Sequence, residues 1–222
     1  MNLFWHFLQN EIRLARRSRG VGLALAFFCL VLSLLFYFGL NDLLSNRLRL
    51  ILPLVWLSSI FGGILRMLRT YESEERGHVW DMLRLCPHIS TPFFLSKWVL
   101  NLFYILLLQW LTLVFLVMFF NLHLSWGFIL PIMKIAFFGA LGFVSLGSLV
   151  SALTVEHNRR DLLFPLVLYP LLIPLIIGVI QTPLFAGAVF VGTHEIWFRL
   201  VVGYSIILFV ASVLLFDLFF EG

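Results

Sequence analysis

The 222-residue chain is 62% hydrophobic and 12% charged, with 15 Lys and Arg against 11 Asp and Glu and a mean hydropathy of +1.05. A soluble domain carries about a quarter charged residues, so no soluble fold of this length hides so much apolar surface, and lipid must solvate it. The net charge of +4 is therefore read by side of a membrane and does not imply nucleic acid.

Six apolar blocks separated by short polar breaks make up most of the chain, which predicts an all-α bundle of six transmembrane helices. Before the first block, Phe4, Phe7, Leu8, Ile12 and Ala15 fall at helical spacing, with Gln9, Asn10, Glu11 and Arg13 elsewhere on the wheel. That pattern predicts an amphipathic interfacial helix within residues 1–19. Arg13, Arg16, Arg17 and Arg19 then precede an apolar run over 21–40. The run is longer than a signal-peptide core and lacks a small-residue cleavage site, so it reads as a permanent span.

A second span is expected at about 48–68, followed by the longest and most charged break, Thr70 to Thr91. Glu72, Glu74, Glu75 and Arg76 precede Gly77, and Val79, Trp80, Met82, Leu83 and Leu85 then interleave with Asp81 and Arg84 before Pro87. Acidic residues favour a helix start, the interleaving predicts a short amphipathic helix, and Pro87 and Pro92 are expected to stop it. Two readings are open: an interfacial helix that caps the bundle, or a docking helix. In the second, Trp80 and Leu83 anchor in a groove of a soluble subunit and the charges form the rim.

The third and fourth spans are expected at about 93–120 and 127–153. Gly139, Gly142, Ser145, Gly147, Ser148 and Ser151 recur at three- and four-residue spacing on the fourth, the pattern of close helix contact rather than of a substrate path. Lys134, near its outer end, can snorkel to the interface. The fifth span, about 162–180, carries Pro165, Pro170 and Pro174, so a kink is expected there. Residues 182–197 are mostly apolar but too short to cross and return, which predicts a re-entrant or surface-lying element before the last span at about 198–219. With no repeat or linker in view, residues 1–222 read as a single transmembrane domain.

Placing the N-terminus in the cytoplasm puts Arg13, Arg16, Arg17, Arg19, Arg66, Arg69, Arg76, Arg84, Lys97, Arg159 and Arg160 on that side, against Arg47, Arg49 and Arg199 outside. The positive-inside rule then sets both termini in the cytoplasm. No Gly-Lys-Ser/Thr phosphate cradle is present. Histidines 6, 78, 88, 123, 157 and 194 form no i, i+4 pair, and Cys29 and Cys86 lie at different depths. The expectation is therefore no catalytic residue, no metal site and no directly bound cofactor.

Tyr71-Glu72-Ser73-Glu74-Glu75-Arg76-Gly77 through Leu83-Arg84-Leu85-Cys86-Pro87, Ser96-Lys97-Trp98, Ser151-Ala152-Leu153-Thr154-Val155 with Arg159-Arg160, and the Pro-rich stretch Leu163 to Pro174 together resemble the CcmB family. These are the heme exporter protein B permeases of the cytochrome c maturation system, and the resemblance covers nearly the whole chain. Departures lie in the docking loop, where Val79-Trp80-Asp81-Met82-Leu83 and Leu85-Cys86-Pro87 replace a Leu-Glu-Gln-Leu core and a Leu-Ser-Pro ending, and at Ser96, usually Ala. The tryptophan-rich heme-handling segment of the sister permeases is absent.

The resemblance implies a six-helix ABC-2-like permease without catalytic residues of its own in the bacterial inner membrane. It would be paired with a CcmA-type ATPase and associated with CcmC- and CcmD-type subunits and a CcmE-type heme chaperone. ATP is then used through the partner, and heme is handled by the complex. Glu74, Glu75, Arg76, Gly77, Trp80 and Leu83 would dock the ATPase, and Pro165, Pro170 and Pro174 would let the fifth span bend. His123 and His194, on the outer side, read as interfacial residues beside Trp126 and Trp197 rather than heme ligands. A permease for a lipid, drug or polysaccharide, or a non-transporting scaffold, stays open as an alternative.

Overall fold

In lipid every backbone amide must find its partner within the segment, and the regular structure follows that constraint. The computed structural model describes residues 2–17, 19–40, 50–71, 80, 83, 89–122, 126–154, 160–182 and 193–221. Among them lie seven long helices: α1 (Asn2–Arg17), α2 (Arg19–Leu40), α3 (Ile51–Leu68), α4 (Ser90–Phe119), α5 (Trp126–Thr154), α6 (Arg160–Gln181) and α7 (Thr193–Glu221).

Five helices hold apolar stretches long enough to cross a bilayer: Ile51–Leu68, Ser90–Phe119, Ile129–Thr154, Leu162–Gln181 and Ile196–Phe219. The chain is a multi-pass membrane protein built as a helical bundle. The described apolar part of α2, Ala24–Gly39, is shorter. Of the re-entrant or surface-lying element expected over residues 182–197, residues 183–192 lie outside the described residues, and residues 193–197 open α7.

Helix α4 is the axis of the bundle, with α1, α2, α3, α5 and α7 packed on it, while α5 also carries α6 and α7. Helix α2 runs along α4: Cys29 donates to the Leu108 carbonyl at 3.8 Å, and Tyr37 meets Phe119 and Phe120 with centroids 6.3 and 5.5 Å apart.

Three local features mark these helices, the first a helix start that departs from expectation. Helix α4 begins at Ser90, ahead of Pro92, because a proline in the first turn gives up an N–H that has no intrahelical acceptor anyway. Helix α5 takes in Pro131, which the apolar pattern around it conceals. At the other end of α4, Asn121 adopts φ 49° and the Leu122 amide donates to the Val117 carbonyl at 3.1 Å. A left-handed Asn followed by that long return bond is a Schellman ending.

The expected kink in the fifth span meets a helix that runs without a break from Arg160 to Gln181 through all three prolines. Their missing amides leave the carbonyls of Asp161, Leu166 and Pro170 without an intrahelical donor. Pro170 and Pro174 sit on the exposed side of α6, while Phe164, Leu168, Leu172, Leu175 and Val179 are fully buried. Beside Pro174, the Tyr204 hydroxyl donates to the Leu171 carbonyl at 2.8 Å, a cross-helix bond from α7 where the ladder is weakest.

Lipid is as apolar as leucine, so the core is held by close packing rather than by exclusion of water. A Cβ on Gly142 would lie 2.7 Å from the Ser205 hydroxyl and 3.2 Å from the Ser205 Cα; α5 and α7 approach at a distance only glycine permits. Gly139 and Gly147 likewise leave room for Trp56 and Met67. Trp56 meets Phe143 edge-on at 6.5 Å, inside a cluster that also takes Ile105, Phe164, Leu172 and Val179. The outer surface is apolar too: Phe38 is 77% exposed and Leu166 71%, as suits side chains that face lipid.

Candidate functional site: the junction at one end of the bundle

The C-terminal end of α3, the N-terminal end of α4, the C-terminal ends of α5 and α7, and α1 meet at one end of the bundle. Trp80 and Leu83, the two residues described between Tyr71 and Ile89, are 5% and 4% exposed. Both are buried with Tyr71, Phe93, Phe94, Leu149, Ala152 and Phe216, and Phe7 of α1 packs alongside. The rings interlock: Tyr71 with Trp80 at 5.4 Å and Phe93 at 6.2 Å, Phe7 edge-on to Phe93 at 5.7 Å, and Phe94 on Phe216 at 4.7 Å.

This placement changes the meaning of two expected docking residues. Trp80 and Leu83 turn into the chain's own aromatic cluster and not outward toward a partner. The apolar face of a short amphipathic helix settles on the nearest apolar surface, which here is the end of its own bundle. Glu74, Glu75, Arg76 and Gly77 lie outside the described residues.

Below the aromatic cluster is a polar layer. Lys97, 3% exposed, is 2.7 Å from the Glu11 carboxylate and donates to the Thr70 carbonyl at 3.2 Å. Its ammonium also stands 5.7 Å from the ring centres of Tyr71 and Phe93. A charge at this depth is tolerated only when paired and hydrogen-bonded, and α1 supplies the pair by lying across α4. One turn further along α4, the Asn101 amide donates to the Thr70 hydroxyl and to the Ser148 hydroxyl, each at 3.2 Å.

The small residues of α5 do more than allow close approach. Trp98 donates its indole N–H to Ser145 at 2.9 Å, and Ser151 donates to the Met67 carbonyl at 2.6 Å. At the same end, Thr91 donates to Asp217 of α7 at 2.9 Å, as does Ser90. Ser and Thr at a helix start usually cap their own helix; here Ile89 is the N-cap with no side-chain cap bond, and the two hydroxyls tie α4 to α7 instead.

Sequence reasoning singled out neither Asn101 nor Asp217 and counted Glu11 as part of a polar helix face. A signal was available: a polar residue inside an apolar block marks a packed or functional position, and Lys97 and Asn101 share a face at i, i+4. His123 lies outside the described residues, as does the side chain of His194. Among the described residues no three His, Cys, Asp or Glu side chains come together.

Trp80 and Leu83 thus share one apolar cluster with side chains of α4, α5 and α7 and with Tyr71 just beyond α3. A family model described as CcmB protein matches residues 2–217. No curated protein matches the chain, and no solved structure does.

Proposed function

Since the chain belongs to the CcmB family, we propose that it is the membrane subunit of an ABC-type complex that couples ATP hydrolysis by a CcmA-type ATPase to heme delivery or to release of a heme-loaded CcmE-type chaperone. The family carries a role in cytochrome c biogenesis and heme transport. Six spans with both termini in the cytoplasm of a bacterial inner membrane, and CcmC- and CcmD-type neighbours, complete the reading. Heme is held by a partner, ATP is bound by the ATPase, and this chain performs no catalysis.

One observation supports the coupling role: the burial of Trp80 and Leu83 among side chains of α4, α5, α7 and α1 and against Tyr71 just beyond α3. The ATPase docks on the solvent side of residues 72–86, where Glu74, Glu75, Arg76 and Gly77 offer a charged rim, and Trp80 and Leu83 transmit the motion inward. Helix α6, lacking three ladder bonds at Pro165, Pro170 and Pro174, bends more readily than its neighbours and carries the displacement toward the far side.

The test separates docking from transmission. Reversing the charges of Glu74, Glu75 and Arg76 should release the ATPase in a detergent pull-down while the protein still inserts. Trp80→Ala should retain the ATPase and its ATP hydrolysis yet lower cytochrome c maturation, because truncating a buried tryptophan leaves a cavity in the cluster that carries the motion. If the charge reversals leave the ATPase bound at wild-type yield, docking lies elsewhere. If Trp80→Ala instead releases the ATPase, the tryptophan faces the partner.

A further inference from the structure

Away from the junction's aromatic cluster, a cavity of about 230 Å³ lies between α2 and α3, lined by Ala24, Leu25, Phe28, Leu65, Arg66 and Arg69. Its walls are apolar, and its rim on the lipid side is open: Leu65 is 57% exposed and Phe61, one turn along α3, 50%. Arg66 lies in the last turn of α3 and Arg69 is its C-cap, so the two side chains share a face at i, i+3, and both line the cavity.

We propose that this cavity is a binding site for an anionic phospholipid, its phosphate held between Arg66 and Arg69 and an acyl chain laid along Ala24, Leu25, Phe28 and Leu65. An arginine at a helix end ordinarily snorkels into water. Arg66 is instead held with its guanidinium 4.3 Å over the ring centre of Tyr104 on α4, which fixes the charge at the cavity. A planar guanidinium immobilised on an aromatic face is suited to a phosphate oxygen pair, and basic pockets between membrane helices suit lipid head groups. The apolar walls distinguish the site from one for a free anion, and the opening toward lipid distinguishes it from one for a soluble peptide.

The full-length protein, purified in a neutral detergent, is titrated with phosphatidylglycerol and with phosphatidylcholine of identical chains, and retained lipid is counted by native mass spectrometry. Phosphatidylglycerol should be retained preferentially, and Arg66→Gln with Arg69→Gln should reduce its retention roughly tenfold or more without changing phosphatidylcholine. Tyr104→Leu should weaken retention and Tyr104→Phe should preserve it, a contrast that simple loss of charge does not produce. Should the double variant fail to fold, Arg69→Gln at its exposed position carries the same comparison with a smaller loss. Equal binding of the two lipids overturns the proposal. So does an equal loss in an Arg159→Gln/Arg160→Gln control, which reports general charge attraction, or equal thermal protection by inorganic phosphate, which reports a free-anion site.

Discussion

Lys97 is the residue whose environment departs most from what its position in the chain suggests. Read along the sequence, it is one more cation at a helix end; in the fold it is 3% exposed and paired with Glu11 at 2.7 Å. The spacing does not reveal that partner, because the pair exists only when α1 lies across α4. Asn101 and Asp217 were hidden for the same reason, since a single polar residue in an apolar block shows that it has a partner without showing which. Removing one member of a buried pair costs about 3 kcal/mol or more, whereas replacing both by apolar groups costs far less. Glu11→Gln should therefore lower the thermal stability of the purified protein more than Glu11→Leu combined with Lys97→Met. The full double-mutant cycle measures the coupling, and additive losses would show that the pair does not hold α1 in place.

At the scale of elements, the long helices were legible because each apolar block has the length that lipid demands. Their ends were less so: Pro92 reads as a stop and proves to sit in the first turn of α4. The orientation of the segment after Tyr71 was the least legible feature. Its amphipathic pattern shows that one face is buried, yet both a partner's groove and the bundle's own end satisfy that pattern, and only the fold decides that Trp80 and Leu83 face inward. Truncating a buried tryptophan costs about 3–5 kcal/mol, and the cost falls on the local opening of this segment rather than on the bundle. Trp80→Ala should raise amide exchange across residues 72–88 by at least about tenfold and leave exchange in the middle of α4 and α5 unchanged. Acceleration throughout the bundle would mean that the segment is part of the global fold and not a separately hinged element.

At the scale of the whole molecule, the two ends of the chain lie at the same end of the bundle. Phe7 of α1 packs on Phe93 at 5.7 Å, and Asp217 of α7 accepts from Thr91 at 2.9 Å. Helix α3 ends at this junction, so the chain must reach the far end of the bundle before α3 begins. Helix α2 makes that passage, with Phe28 beside Arg66 and Arg69 at the junction end and Tyr37 beside Phe120 at the other. Five apolar stretches are long enough to cross a bilayer; with α2 as a sixth crossing the number is even, and the positive-inside rule then predicts the cytoplasm for the shared end. Fusions of a reporter active only in the cytoplasm should fluoresce at Met1 and at Gly222, and alkaline phosphatase, active only outside, should report when inserted at Ser125. A fusion at Gly222 active outside the cytoplasm, with the Met1 fusion still fluorescent, would make the crossings odd. It would show that α2 lies on the membrane instead of spanning it.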